Sequence, residues 1–90
     1  MEIEFDPSKA VSNLKKHAVD FDEAVTALLD AFALVIDDPD ALGEQRLILL
    51  GISQQARLLS VCYTLRGEVI RLISARCATK HEEKAYAQGI

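Results

Sequence analysis

Basic side chains that could bind phosphate are concentrated in the second half of this 90-residue chain. Residues 46–90 hold seven bases against three acids, a balance of +4, whereas residues 1–45 hold three bases against eleven acids, a balance of −8. Five of the seven bases are arginine, which binds phosphate through paired hydrogen bonds and keeps its charge. This asymmetry suggests contact with nucleic acid. The alternative is that these basic side chains form a solvated rim of a sheet and bind no ligand. The seven bases are Arg46, Arg57, Arg66, Arg71, Arg76, Lys80 and Lys84.

A few side chains could transfer a proton near neutral pH, where histidine is the natural choice. His17 is expected at the end of a helix, where the dipole favours a cation, and a simple helix cap is the alternative. His81 is expected in the first turn of the last helix, beside Lys80 and Lys84, which oppose its protonation. An ordinary surface position is the alternative for His81. The four proton-transfer candidates are His17, Glu44, Tyr63 and His81.

Tyr63 and the two cysteines also fit the interior of the protein. Tyr63 shares a predicted strand face with Val61 and suits a core as well as a catalytic site. Cys62 and Cys77 are interpreted as small buried hydrophobic residues. Together with the two histidines they show neither CxxC nor HxxxH spacing, so we expect no metal site. The chain has no Gly-rich phosphate loop, and no cofactor is expected.

Composition excludes several classes of protein. The net charge of −4 argues against non-specific binding of nucleic acid by the whole surface. The absence of Trp and an aromatic content of 6% argue against a base-stacking platform. No apolar run approaches the length of a membrane span. The acidic start of the chain does not resemble an export signal, and with two cysteines we expect a cytoplasmic protein without a disulfide.

Hydrophobic periodicity predicts the order β-α-α-β-β-β-β-α in one domain, residues 1–90. The first two helices begin at Asp6-Pro7 and Asp20, and Thr79 with Glu82 forms a capping box that opens the last helix. Short links favour an antiparallel four-strand meander. We expect both helices to bury their apolar stripes on one sheet face. The stripes consist of Val11 and Leu14 in the first helix, and of Phe21, Ala24, Val25, Leu28 and Leu29 in the second. We therefore expect an α+β two-layer sandwich. The predicted strands are 3–5, 33–36, 46–52, 58–64 and 69–76.

Several spaced motifs resemble those of one family in the same order along almost the whole chain. The motif at 71–76, Arg-Leu-Ile-Ser-Ala-Arg, is the strongest of them. The chain resembles the BrnT family, toxins of bacterial type II toxin–antitoxin pairs with a RelE-like ribonuclease fold. It departs from the family pattern where Phe5 replaces Trp, Ala18 replaces Gly and Tyr63 replaces His, and segment 77–83 is less basic than usual. The matching segments are 5–9, 13–24, 37–39, 43–46, 51, 71–76, 78–79 and 83–86.

The resemblance implies a ribonuclease that works without a metal. Such an enzyme needs a base near the attacking 2′-hydroxyl, an acid near the leaving oxygen and cations at the phosphoryl oxygens. The candidate cations are Arg46, Arg71 and Arg76. Positions 71 and 76 have opposite parity, so a bulge or the strand end near Ala75 must bring Arg76 to the same face. An ion pair with Glu44 is the alternative role for Arg46. The acid/base candidates are His17, Glu44 and Tyr63, and the RNA-binding candidates are Lys9, Lys80, His81 and Lys84.

The resemblance also implies partners. A ribbon-helix-helix antitoxin would cover the basic face in a hetero-oligomer, and the complex would repress its own operon. Operator DNA would be contacted only through the antitoxin, which suits the net acidity of this chain. The alternative is a degenerate toxin that binds its antitoxin without cleaving RNA, which the weakened basic segment 77–83 favours. Cleavage of RNA by the purified chain in EDTA separates the two.

Overall fold

The computed structural model describes residues 2–89, one residue fewer at each end than the predicted domain of residues 1–90. The expected order of strands and helices is present, so the prediction of a mixed α+β fold is confirmed. Four strands follow two helices, and a third helix ends the chain. The elements are β1 (Glu2–Glu4), α1 (Pro7–His17), α2 (Phe21–Ala27), β2 (Leu34–Asp37), β3 (Leu47–Ile52), β4 (Leu58–Arg66), β5 (Val69–Cys77) and α3 (Lys80–Gln88).

All five strands form one sheet, in the order β1-β5-β4-β3-β2. From β2 to β5, each strand pairs antiparallel with the next one along the chain. The sequence pattern does not indicate which strand lies beside β1. In the structure, β1 pairs parallel with β5, with Ile3 opposite Ile70. It covers only residues 69–71 of β5, so the rest of that strand's outer edge needs other partners.

Local capping determines where the helices begin and end. The Asp6 carboxylate accepts the Ser8 N–H at 2.9 Å, and Pro7 occupies the first turn of α1. The helix ends at Ala18, whose N–H donates to Leu14 O and whose φ of 57° lies in the left-handed region. Glycine adopts that conformation without a steric penalty, whereas Ala18 carries a Cβ atom there.

The core lies between α2 and one face of the sheet. Phe21 and Ala24 of α2 are buried against Leu59, Val61 and other strand residues of the same face. A Cβ atom at Gly51 would clash with the carbonyl oxygen of Ala27, so glycine is required for α2 to approach β3 this closely. The buried hydrophobic residues are Val19, Phe21, Ala24, Ala27, Leu49, Leu59, Val61, Tyr63, Leu72 and Ala75.

Two expectations about the helices are wrong. Val11 and Leu14 of α1, expected to be buried on the sheet, are 56% and 49% exposed. The residue that α1 buries is Asn13, because this helix lies against the free edge of β5 and supplies hydrogen bonds there. The apolar stripe of α2 stops short as well, since the helix ends at Ala27 and leaves Leu29 exposed in the following turn.

Candidate functional site

A β-bulge in β5 brings the two arginines of the strongest motif to the same sheet face. Cys62 pairs with Ser74 and Tyr63 pairs with Leu72, which leaves Ile73 as an extra residue without a partner in the ladder. The alternation of side chains therefore restarts after Ile73. Arg71 and Arg76 both project from the face opposite the core, although their numbers have opposite parity. The irregularity that the sequence required is present, two residues before Ala75.

Beside this bulge, a groove of about 340 Å³ opens on the face opposite the core. Its floor is formed by alternate residues of three neighbouring strands, namely Ile48, Ser60, Cys62 and Ser74. Burial raises the pKa of the Cys62 thiol, so this group is held in its neutral form. The floor thus offers two hydroxyls and an uncharged thiol, and the charged groups of the groove stand at its rim.

The rim of the groove combines a histidine, two arginines and two carboxylates. His17 comes from the end of α1, and Arg76 comes from β5. The segment between β2 and β3 supplies Arg46 and the carboxylates of Asp38 and Asp40. The backbone N–H of Asp38 donates to the Arg46 carbonyl at 2.8 Å, which ties the two ends of this segment together. Cations, an imidazole and carboxylates therefore face one polar floor.

A second cleft, of about 230 Å³, continues the groove between α1 and β5. The two clefts share His17, Ile73 and Ser74. Lys9 and Lys16 line the second cleft, so α1 adds two ammonium groups beside His17. A basic track therefore leads from α1 to the groove, and it comes from the half of the sequence with the negative balance.

Asn13 fixes α1 against the bulged strand. Its Nδ2 donates to the carbonyls of Ala75 at 2.8 Å and Val19 at 2.9 Å, and its Oδ1 accepts the Ala75 N–H at 3.0 Å. The amide thus replaces a neighbouring strand at the edge that β1 leaves open. Because His17 lies one turn further along α1, Asn13 also places the imidazole at the groove. One local signal of this role is the presence of an Asn inside a helix, where it is normally unfavourable.

Arg76 is held by a carboxylate from α3. Its Nη1 and Nη2 donate to the two carboxylate oxygens of Glu82 at 2.8 and 3.1 Å. These hydrogen bonds raise the pKa of Arg76 and lower that of Glu82. Glu82 also accepts the Thr79 N–H at 2.8 Å, and the Thr79 hydroxyl accepts the Glu82 N–H at 3.2 Å. The predicted capping box is confirmed, and it joins α3 to the groove.

Arg46 and Glu44 do not form the ion pair considered from the sequence. Glu44 lies 3.5 Å from Arg66 instead, and both side chains are about half exposed. Glu44 is absent from the groove lining, whereas Arg46 belongs to it. We therefore leave Glu44 out of the proposed acid/base groups.

Arg71 and Tyr63 also lie away from the groove. Arg71 is on the same sheet face as Arg76, but its Nη1 pairs with the Glu4 carboxylate of β1 at 3.2 Å. Tyr63 is 7% exposed and belongs to the core on the other face, where burial raises the pKa of its phenol. The core interpretation of Tyr63 is confirmed, because its strand parity points it towards α2 rather than the groove.

The candidates on α3 are exposed and separate from the groove lining. Lys80, His81 and Lys84 lie on the surface of this helix, and neither basic cleft includes them. Within residues 2–89, no cluster of three His, Cys, Asp or Glu side chains is arranged to hold a metal ion, and no helix is long and apolar enough to cross a membrane. The sequence reasoning did not select Asn13, Lys16, Asp38, Asp40 or Glu82 for the site.

Comparisons with known proteins agree with the fold and indicate a family. A family model described as the ribonuclease toxin BrnT of a type II toxin–antitoxin system matches residues 5–82. The 1.1 Å crystal structure of the Brucella abortus ribonuclease toxin BrnT matches with a TM-score of 0.69 and 26% sequence identity. The match covers 89% of this chain and 99% of that one. No curated protein matches in the corresponding sequence search. Because the family model spans most of its length, this chain belongs to the BrnT family of type II ribonuclease toxins.

Proposed function

We propose that this chain is a metal-independent endoribonuclease, with a RelE-like fold, that arrests growth by cutting RNA in the groove. One observation carries the proposal: His17, Arg46 and Arg76 come from three separate parts of the chain and meet at one polar groove. Family membership supports a toxin that acts on RNA and has an antitoxin partner. The assignment of particular residues rests on the geometry of the groove.

The reaction that fits these groups is transfer of the phosphodiester to the neighbouring 2′-oxygen. A base takes the proton of the 2′-hydroxyl, and the oxygen attacks phosphorus. The bond to the 5′-oxygen breaks, and an acid protonates that oxygen. The products are a 2′,3′-cyclic phosphate and a 5′-hydroxyl, so atoms and charge balance without a co-reactant. Arginines at the phosphoryl oxygens stabilise the charge that develops on them.

We assign His17 as a proton-transfer group because it is half-buried at the meeting point of the two clefts. An imidazole changes its charge near neutral pH and can act as base or acid. The partner group comes from the opposite rim, where Asp38 and Asp40 lie. Arg46 and Arg76 bind the reacting phosphate, and Lys9 guides the strand along α1. Lys80, His81 and Lys84 remain predicted contacts for RNA outside the groove. Arg71, predicted as a catalytic cation, pairs with Glu4 away from the groove and is reassigned here as an RNA contact.

The test is cleavage of a labelled RNA by the purified chain in excess EDTA. We expect cleavage to persist, and we expect His17→Ala and Arg46→Ala to lower its rate by about 10²–10³-fold. Arg66→Ala is the matched control, since Arg66 lies outside the groove and is half exposed. Equal rates for Arg46→Ala and Arg66→Ala would contradict the site. Cleavage that EDTA abolishes would contradict metal independence.

The second candidate is an antitoxin-binding module without catalytic activity. The pairing of Arg76 with Glu82 favours it, because a neutralised cation contributes less to phosphate binding. This candidate predicts normal antitoxin binding and no RNA cleavage by the unsubstituted chain. The binding-module candidate is rejected if the unsubstituted chain cleaves RNA and the His17→Ala variant does not cleave it.

For the partner, we propose a ribbon-helix-helix antitoxin that covers the sheet rim and α3 in a cytoplasmic hetero-oligomer. The antitoxin contacts operator DNA, and the complex represses its own operon. The balance of +4 in residues 46–90 supports this arrangement, since concentrated charge speeds association and selects a surface of opposite charge. Co-expression with the neighbouring reading frame should yield a stable complex whose association rate falls with salt. An interface confined to residues 1–30, with rates independent of salt, would contradict it.

A further inference from the structure

Glu82 stands where an anion from a ligand would bind Arg76. The guanidinium of Arg76 uses both outer nitrogens to hold the two carboxylate oxygens of Glu82, at 2.8 and 3.1 Å. A phosphate that binds arginine through paired hydrogen bonds uses the same edge of the guanidinium. The side chains of Arg76 and Glu82 are 42% and 22% exposed, so solvent and solutes reach the pair. An RNA phosphate and Glu82 therefore compete for the same donors.

The carboxylate of Glu82 has a second partner that it keeps when Arg76 leaves. One of its oxygens accepts the Thr79 N–H at 2.8 Å at the start of α3. The backbone N–H of Glu82 in turn donates to the Thr79 hydroxyl. This capping box depends on the position of the carboxylate and not on its charge, because Gln serves in the same motif. Release of Arg76 consequently costs the ion pair but leaves the helix cap intact.

We propose that Glu82 is an internal competitor for substrate phosphate, which occupies Arg76 in the free chain and is displaced when RNA enters the groove. This inference rests on the proposed function. Glu82 acts through Arg76 and does not touch the reacting atoms, so it sets how tightly RNA binds rather than how fast the bond breaks. Removal of its charge should lower KM for RNA and leave kcat nearly unchanged.

The test compares Glu82→Gln with Glu83→Gln. Both variants remove one negative charge from the first turn of α3, but the side chain of Glu83 has no ion pair within residues 2–89. Binding is measured with a fluorescent oligoribonucleotide whose 2′-hydroxyls are methylated, so that it cannot be cleaved. Exposed ion pairs are weak, and we expect Glu82→Gln to tighten binding by roughly two- to fivefold beyond Glu83→Gln.

Salt dependence separates competition from a purely structural effect. Each phosphate contact on a single strand contributes about 0.7 to the slope of log affinity against log salt. In the unsubstituted chain the phosphate contact at Arg76 adds less than this to the slope, because the released Glu82 carboxylate takes up a cation from solution. The slope for Glu82→Gln should therefore be steeper by up to about 0.7. In an Arg76→Gln background, Glu82→Gln and Glu83→Gln should bind alike.

A measurement on the unsubstituted chain does not depend on how the variants fold. The side-chain carboxyl carbon of Glu82 should shift in NMR spectra when the methylated oligoribonucleotide is added, and that of Glu83 should not. Binding by Glu82→Gln that is equal to or weaker than that of Glu83→Gln overturns the inference while the proposed function stands. Failure of the unsubstituted chain to bind the RNA overturns both.

Discussion

Replacement of Asn13 by alanine should destabilise the protein more than any exposed substitution on α1. The change removes three hydrogen bonds, two from Nδ2 and one to Oδ1, with lengths of 2.8 to 3.0 Å. It leaves the N–H and carbonyl of Ala75 and the carbonyl of Val19 without their partner in a buried place. At about 1 kcal/mol per bond, and more for a buried group left unpaired, the loss is roughly 3–5 kcal/mol. That is a large part of the 5–15 kcal/mol typical of a whole domain.

Urea unfolding followed by circular dichroism measures this loss. With an m value of about 1–2 kcal/mol per molar, the midpoint should fall by roughly 1.5–5 M. The control is Ser12→Ala, which alters the neighbouring exposed residue of the same helix and should change stability by less than about 0.5 kcal/mol. Asn13→Ala should also slow RNA cleavage at temperatures where it remains folded, because His17 loses its support. A loss of stability below about 1 kcal/mol would refute the reasoning that Asn13 serves as a strand substitute.

Three further substitutions test separate features of the fold. Thr79→Ala should cost about 1 kcal/mol and lower the melting temperature by roughly 4–8 °C, measured by calorimetry; an unchanged melting temperature would contradict the importance of the capping box. Ala18→Gly should raise stability by about 0.5–1 kcal/mol in urea unfolding, since it relieves a φ of 57°, and destabilisation would contradict this account. A hydrogen bond from Arg57 lowers the pKa of Glu23 in the folded chain. The ionised Glu23 therefore stabilises the fold at pH values above its pKa in the unfolded chain, and this stabilisation is lost as the pH falls through its lower pKa in the folded chain. The stability of the unsubstituted chain should therefore fall below about pH 4.5 more steeply than that of Glu23→Gln; parallel curves would contradict it.

Features that depend on a few neighbouring residues were predictable from the sequence. Asp6, Asp20 and Thr79 each accept a backbone N–H at the start of a helix, as their positions before the helical residues indicated. Short apolar segments between polar breaks located the strands to within a few residues. These predictions hold because a cap or a short apolar segment requires only residues that are adjacent in the chain.

Features that depend on distant residues were not predictable in the same way. The opposite parity of Arg71 and Arg76 required an irregularity near Ala75, but its position at Ile73 depends on the pairing of β5 with β4. The expectation for Val11 and Leu14 was wrong because periodicity assumes that apolar residues face the sheet. At the edge of β5 the requirement is for hydrogen bonds, and Asn13 meets it. Periodicity therefore selected the wrong face of α1.

The charge split between the two halves of the sequence becomes a set of ion pairs in the folded chain. Four of the five arginines of the basic half lie within 4.0 Å of a carboxylate, and three of those carboxylates come from the acidic half. Among residues 2–89, Arg46 is the arginine without such a pair, and it lines the groove. A phosphate at Arg46 has no carboxylate to displace from the guanidinium, whereas a phosphate at Arg76 must displace Glu82. The charge that attracts RNA to the groove is therefore concentrated at Arg46 and at the lysines of α1, which the balance of +4 alone would not have indicated. The four pairs are Arg57 with Glu23, Arg66 with Glu44, Arg71 with Glu4 and Arg76 with Glu82.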